Sequence, residues 1–205
     1  MKPKWWNKGK TYLYKRDKVM RKLLSLYKGH LTTRNNFFYS LTRSIISQQI
    51  SVSAADSVFS KFEKKCKGKI KPRTVLKLSI SDLRKCGLSR MKAKGIKSLA
   101  KKIIDKSFDP KLIKKMSDED AINYLSSLRQ IGRWSAEMIL LFTFNRSNIW
   151  PLQDIGLLRA ISNNYNKKYF PPKIFLNKLY KKFTPYCSVA TWYLWRSIDN
   201  EPIQY

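Results

Sequence analysis

The chain has 205 residues and a formal charge of +30 at pH 7, because 43 Lys and Arg face only 13 Asp and Glu. Hydrophobic residues make up 43%, with 10 Phe, 11 Tyr and 6 Trp, which excludes an intrinsically disordered chain. A surface this basic predicts a polyanionic partner, with nucleic acid first and an anionic membrane second. No apolar run approaches the roughly 18 residues of a membrane-spanning helix, and the basic start lacks the apolar stretch of a signal peptide.

Cysteine and histidine are too few for several kinds of site. Cys66, Cys86 and Cys187 are unevenly spaced, and His30 is the only histidine. The three cysteines disfavour a disulfide framework, a zinc ribbon and a four-cysteine iron–sulfur cluster. The single histidine disfavours a Ser-His-Asp triad and a multi-histidine metal site. An enzyme built from this chain would depend on carboxylates, amides, backbone groups and aromatic side chains, and we expect no metal ligated by side chains.

The pattern along the chain predicts an all-α fold. Residues 1–18 are basic with four Trp and Tyr side chains, and form either a loosely ordered arm or a packed strap before a main domain at 19–205. Apolar residues then recur at spacings of three and four, which predicts helices. These stretches are 41–62 (interrupted by polar residues at 47–49), 93–104, 121–128, 135–143, 155–161 and 189–198. No alternating strand pattern or fixed-period repeat is present.

Residues 125–136 (LSSLRQIGRWSA) join two predicted helices by a short turn that contains Gly132. The second helix is expected to start at Ser135. The unpaired N–H groups of a helix N-terminus are suited to a phosphate, and Arg129 and Arg133 add positive charge beside them. The alternative is an ordinary joint between two helices of a bundle.

Asp154 stands out because carboxylates are scarce in the second half of the chain. Between residues 121 and 198 the only other carboxylate is that of Glu137, which we expect to face solvent or a nearby lysine. Asp154 follows an aromatic-proline turn and precedes an apolar helix, so it is a candidate helix N-cap. A functional role is the second interpretation, and both roles can coexist.

Five segments of the chain match known sequence motifs in a fixed order. Residues 43–55 resemble "GQQ[IL]S..AA", residues 87–93 "GLS..KA", residues 125–136 the hairpin "GIGRWTA", residues 150–156 "FP..D.G" and residues 186–196 "YRSVAAWYLWR". Together they span about residues 37 to 200 and are similar to the motifs of the helix-hairpin-helix DNA glycosylase superfamily, in its DNA-3-methyladenine glycosylase II type. The chain departs from these patterns at Gln130 (usually Gly), Ser135 (usually Thr) and Cys187 (usually Arg). It also has no room for the N-terminal β domain of longer members.

The resemblance implies a two-lobed helical fold around a cleft, with Asp154 as the catalytic carboxylate. An anion beside C1′ stabilises the positive charge that develops on the sugar and can activate water. Trp134 stands where bifunctional relatives have a Schiff-base lysine, so the resemblance implies a monofunctional enzyme without lyase activity. Trp134, Met138 and Trp192 are the expected walls of the base pocket, and core packing is the alternative for each of them. Trp195 and Arg196 are further candidates for the pocket or a phosphate.

A base must leave the duplex before it can be hydrolysed, and a side chain then fills the gap. The resemblance implies Gln49 as this plug, with Gln48 as second choice; the alternative is that these amides cap local backbone. The expected phosphate contacts lie at two turns: Gln130, Ile131, Gly132, Arg133 and Ser135 in the hairpin, and Ser89 with Lys92.

The implied function is hydrolysis of the N-glycosidic bond of alkylated purines in double-stranded DNA, as a step of base excision repair. We expect a monomer without cofactor or membrane partner, apart from a monovalent cation that family hairpins can hold through backbone carbonyls. Localisation would follow the DNA, in the cytoplasm with the nucleoid of a prokaryote, or otherwise in a nucleus or organelle. The alternatives are another lesion (ethenoadenine, hypoxanthine or a deaminated base), a non-catalytic DNA-binding protein, and a structural nucleic-acid protein such as a ribosomal component.

Overall fold

The computed structural model describes residues 2–33 and 36–199, and within these ranges the fold is all-α, as predicted, with no β-strand. It contains twelve α-helices and one 3-10 helix, Leu112–Lys115. The α-helices are α1 Trp6–Arg16, α2 Lys18–Leu26, α3 Phe37–Ser47, α4 Val52–Lys65, α5 Pro72–Leu76, α6 Ile80–Lys85, α7 Arg90–Ile104, α8 Asp118–Ser126, α9 Arg133–Phe142, α10 Ile155–Asn164, α11 Lys173–Phe183 and α12 Cys187–Arg196. None of the described helices is both long and apolar enough to cross a membrane.

The chain divides into two compact units. Among the described residues, the first unit contains 2–33 and 140–199, and the second contains 36–139. The first therefore holds α1, α2 and α10–α12, and the second holds α3–α8 with the first seven residues of α9.

The core of the first unit forms around α12, in which every residue from Cys187 to Trp195 is buried. Helix α1 lies against it because its own inward positions are apolar or small: Trp6, Gly9 and Leu13 are buried. The Trp6 ring meets the edge of Trp192 at 5.5 Å between centroids. A Cβ on Gly9 would lie 2.8 Å from a methyl of Val189, so the close approach of α1 requires glycine. Within the described residues, α1 is therefore a packed element of the first unit.

A buried carboxylate links three elements of the first unit. Asp17 caps α2 by accepting a hydrogen bond from the Met20 N–H (2.9 Å), and it also accepts from the Tyr165 hydroxyl (2.9 Å) and the Lys182 ammonium (2.6 Å). Burial by itself would raise the pKa of Asp17, but these donors outweigh it, and the pKa lies below its ordinary value.

The second unit buries the apolar stripes that the sequence predicts for α3, α4 and α7. Their buried side chains include Leu41, Ile45, Ile46, Phe59, Phe62, Ala93, Ile96, Leu99 and Ala100. Val52 departs from the pattern: it is the first residue of α4 and is exposed. Four helices of this unit start at a serine whose side chain caps the helix N-terminus: Ser51 for α4, Ser79 for α6, Ser89 for α7 and Ser117 for α8. The starts of these helices are therefore fixed by local sequence.

Candidate functional site

The predicted hairpin is present in the second unit, between α8 and α9. Helix α9 begins at Arg133, two residues earlier than predicted, and the Ala136 N–H donates to the carbonyl of Gly132 (3.0 Å). Ser135 is therefore inside the helix and buried, rather than at its start. Gly132 is exposed and has open space around its α-carbon, which leaves the helix start accessible to a ligand.

Gln130, the departure from the hairpin glycine, adopts a left-handed backbone with φ of 69°. A non-glycine residue takes this conformation at some steric cost, so surrounding contacts must hold it. Its side chain lies over Gly95 of α7, where an added Cβ would be only 2.8 Å from Cγ of Gln130. The Ile131 N–H closes the turn by donating to the carbonyl of Leu128 (3.1 Å).

Gln48 and Gln49, the two plug candidates, have different environments. The carboxamide nitrogen of Gln48 donates to the carbonyl of Gln130 at 2.7 Å and contacts the Ser135 hydroxyl at 3.4 Å. Gln49 is exposed and has a left-handed backbone (φ 59°) between α3 and α4. Gln48 therefore follows the alternative of bonding to backbone, although its partner is in the hairpin and not local. Of the two glutamines, Gln49 is the exposed one.

Lys92 and Ser89, both predicted to contact phosphate, lie in the first turn of α7 and at its cap. The Lys92 ammonium donates to the carbonyls of Ile46 (2.8 Å) and Gln48 (2.6 Å), at the end of α3. Burial lowers the pKa of Lys92. Ser89 is exposed and caps α7 by accepting from the Lys92 N–H (3.2 Å). Ser89 thus lies at the surface, whereas the charged group of Lys92 points toward backbone carbonyls.

Arg133, a further predicted phosphate contact, pairs with two carboxylates. Its guanidinium makes two hydrogen bonds to Glu119 (2.6 and 2.8 Å), and its Nε lies 3.2 Å from Oε1 of Glu137. Glu137 is only 3% exposed, so the expectation that it faces solvent is wrong. The physical reason is that α9 turns this face inward and Arg133, one turn earlier, supplies the opposite charge.

Asp154 lies in the first unit, where it caps α10. Its Oδ1 accepts a hydrogen bond from the Leu157 N–H at 2.6 Å and another from the indole N–H of Trp195 at 2.9 Å. The residue is 9% exposed. The cap role that the sequence predicts is confirmed, and a second donor from α12 fixes the same oxygen. The carboxylate is thus anchored through Oδ1 at the N-terminus of α10.

Trp195 and Gly156 support this carboxylate. The Trp195 ring is buried and stacks in parallel with Phe142 (6.2 Å between centroids, 8° between planes). Gly156, two residues after Asp154, comes so close that an added Cβ would lie 3.1 Å from Oδ1. Sequence reasoning did not assign a role to Gly156. Its place in the "FP..D.G" pattern was the available signal.

The three predicted pocket residues differ in exposure. Trp134 is partly exposed, in the first turn of α9, whereas Met138 is buried. Trp192 is 2% exposed and packs against Trp6 and Tyr193 in the core of the first unit, which is the packing alternative. Among the described residues, no group of three or more His, Cys, Asp and Glu side chains is placed to hold a metal ion.

Residues 42–185 match the family model described as HhH-GPD superfamily base excision DNA repair protein. The alkylbase DNA glycosidase-like protein mag2 of Schizosaccharomyces pombe is 30% identical over 163 residues, which are 78% of this chain and 76% of the relative. The putative DNA-3-methyladenine glycosylase YfjP of Bacillus subtilis is 32% identical over 190 residues, 86% of this chain and 66% of the relative.

A solved structure agrees in fold over nearly the whole chain. It is the S. pombe 3-methyladenine DNA glycosylase Mag1 in complex with abasic DNA. The TM-score is 0.80 at 26% sequence identity, and the match covers 93% of this chain and 96% of that chain.

Proposed function

The chain belongs to the HhH-GPD superfamily of base excision DNA repair proteins, and from that premise we propose that it is a monofunctional DNA glycosylase for alkylated purines of the 3-methyladenine type. Its substrate is duplex DNA that contains the damaged base, and it acts as a monomer. The names of the relatives support the alkylated base, and the neighbour solved with abasic DNA supports a DNA partner.

The arrangement of Asp154 carries the proposal. Hydrolysis of an N-glycosidic bond develops positive charge on the sugar, and a fixed anion stabilises that charge without having to reorganise during the reaction. Two donors anchor Oδ1 of Asp154, and the residue is nearly buried, so the carboxylate is oriented before substrate arrives. A protein that only binds DNA has no use for an anion held toward a polyanion.

The reaction breaks the bond between C1′ and the base nitrogen and forms a bond between C1′ and a water oxygen. The base leaves with the electron pair of the broken bond. Because 3-methyladenine is cationic in DNA, it departs neutral and needs no strong general acid. Asp154 stabilises the sugar cation, and it either orients the attacking water or accepts the proton that this water loses. The products are the free base and an abasic site.

Trp134 supports the monofunctional part of the proposal. The indole nitrogen cannot form the Schiff base by which a lysine leads to strand cleavage. At the same hairpin, Gly132 and the start of α9 offer N–H groups to a DNA phosphate. Exposed Gln49 is the side chain that we propose enters the duplex when the nucleotide is flipped out.

A monovalent cation at the hairpin would draw on carbonyl oxygens of the turn. Two of these, of Leu128 and Gln130, already accept hydrogen bonds from the Ile131 N–H and from Gln48. A carbonyl has two lone pairs, so the turn can still accommodate a cation, which would strengthen its attraction for phosphate.

A base-release assay on a panel of lesion duplexes tests the proposal. We expect release of 3-methyladenine or 7-methylguanine, and a loss of about 100-fold or more for Asp154→Asn, because the anion is removed while the shape is kept. Binding of the variant to damaged duplex should remain. Release of ethenoadenine, hypoxanthine or a deaminated base in place of methylated purines would overturn the lesion assignment, and unchanged turnover of Asp154→Asn would overturn the role of the carboxylate.

Borohydride trapping tests the absence of lyase activity. The wild-type protein should give no covalent adduct with lesion duplex and no strand nick before alkaline treatment. A trapped adduct would contradict the monofunctional assignment and leave the base-release result intact.

A further inference from the structure

We propose that Gln48 and Lys92 do not contact DNA but are positioning residues, which lock the α3–α4 turn and the hairpin into one rigid DNA-binding surface. This inference rests on the proposed function and concerns only the second unit. It replaces the expectation that Gln48 is a plug and Lys92 a phosphate ligand.

The Gln48 carboxamide is the link between the two turns. Its nitrogen donates to the Gln130 carbonyl at 2.7 Å, a short and strong bond between residues 82 positions apart in the chain. The same nitrogen reaches the Ser135 hydroxyl, in the first turn of α9, at 3.4 Å. A donor used in this way holds the hairpin from the side of α3.

Lys92 holds the same turn from the side of α7. Its ammonium donates to the carbonyls of Ile46 and Gln48 at the end of α3, where the helix leaves carbonyl groups without intrahelical partners. The negative end of the α3 helix dipole also stabilises a cation at this position. Because its donors point to these two oxygens, the ammonium is directed into the protein, and this burial lowers its pKa.

Contacts of Gln130, including its packing on Gly95, also hold the hairpin in place. The left-handed backbone of Gln130 is costly for a residue with a side chain, and the hydrogen bond from Gln48 holds its carbonyl in place. Its side chain passes over Gly95 of α7, where a Cβ would be 2.8 Å from Cγ. A turn with glycine at position 130 would be free to move, whereas this one is held by α3 and α7 together.

The lock explains why one of two adjacent glutamines is exposed. With Gln48 and the end of α3 fixed, the backbone turns at Gln49 with φ of 59° and leaves that side chain at the surface. The plug and the phosphate-binding hairpin thereby keep a constant spacing. Loss of Gln48 should weaken phosphate binding by the hairpin, whereas loss of Gln49 should affect only base flipping.

Hydrogen–deuterium exchange and undamaged DNA test this without requiring glycosylase activity. Gln48→Met keeps the length of the side chain and removes the donor. We expect faster exchange in peptides covering 127–136 and about 3- to 10-fold weaker binding of undamaged duplex, the effect of losing one hydrogen bond. Gln49→Ala should leave the exchange of these peptides unchanged and slow lesion excision. Wild-type exchange at the hairpin in Gln48→Met would overturn the proposal, even if excision is lost.

The salt dependence of binding separates positioning from contact for Lys92. Loss of a phosphate contact lowers the slope of log K against log salt by about 0.9. For Lys92→Met we expect weaker binding with a slope within about 0.3 of wild type. Lys92→Arg, which keeps the cationic donors, should restore affinity, and Lys94→Met, an exposed lysine of the same helix, controls for net charge. A slope lowered by about 0.9 in Lys92→Met alone would show that Lys92 binds phosphate and overturn its positioning role.

Discussion

The indole N–H of Trp195 and the backbone N–H of Leu157 donate to the same oxygen of Asp154, at 2.9 and 2.6 Å. One donor belongs to the helix that Asp154 caps, and the other comes from α12. The parallel stack with Phe142 fixes the indole plane, so the direction of its N–H is set by packing. A cap needs only the first donor, and the second restricts rotation of the carboxylate.

Trp195→Phe tests this restriction, because it keeps an aromatic ring and removes the donor. We expect single-turnover excision at saturating enzyme to fall about 10-fold, the effect of one charge-assisted hydrogen bond, with the Kd for lesion duplex nearly unchanged. Trp6→Phe is the matched control, because Trp6 is a buried core tryptophan of the same unit. It should lower the free energy of unfolding and leave the excision rate intact. Equal excision rates in both variants would contradict the role of Trp195.

Gly156→Ala probes the space around Oδ1 of Asp154. Alanine in place of glycine normally stabilises a helix by up to about 1 kcal/mol. Here the new Cβ would lie 3.1 Å from Oδ1, so the carboxylate or the helix start must shift. We expect excision to slow at least several-fold, while the Tm changes little. A higher Tm with wild-type excision would show that the position of Oδ1 tolerates displacement.

The helical period of the apolar residues predicts α9, but not where the helix starts or which of its charged side chains are buried. The helix itself was predictable, because its apolar residues recur with the helical period. Its start was misplaced because Ser135 resembles a cap, whereas the helix begins just after Gly132. The spacing of Arg133 and Glu137 was visible as an i,i+4 pair. The burial of Glu137 was not, because it depends on how α9 packs in the folded chain.

In the candidate site, too, contacts between sequence neighbours were predictable and contacts between distant residues were not. The cap role of Asp154 follows from residues next to it in the sequence, and the prediction was correct. The partners of Gln48 lie 82 and 87 residues away, and no local pattern identifies them. Motif resemblance places both glutamines in a DNA-binding turn, and only the folded chain distinguishes the exposed one from the one that bonds to the hairpin.

Arg133→Met should act on stability more than on DNA binding. Its guanidinium is engaged by Glu119 and by Glu137, of which Glu137 is buried. Removing one partner of a buried carboxylate should cost about 1–3 kcal/mol of unfolding free energy. In urea unfolding, Glu119→Gln should cost less than about 1 kcal/mol, because Glu119 is largely exposed. A salt slope of DNA binding lowered by about 0.9 would instead assign Arg133 to a phosphate.

Asp17→Asn should make the stability of the protein less dependent on acid pH. Asp17 accepts hydrogen bonds from the Lys182 ammonium, the Met20 N–H and the Tyr165 hydroxyl, and its folded pKa lies below the unfolded value of about 3.9. The carboxylate therefore stabilises the fold above about pH 4, and this contribution is lost as the pH falls through the lowered pKa. We expect the variant to be about 1–3 kcal/mol less stable at pH 7 by urea unfolding, and this difference to shrink below pH 4. Asp56→Asn, at an exposed ion pair with Arg43, should cost less than about 1 kcal/mol. A difference between wild type and Asp17→Asn that stays constant down to pH 3 would show that the charge of Asp17 does not stabilise the folded chain.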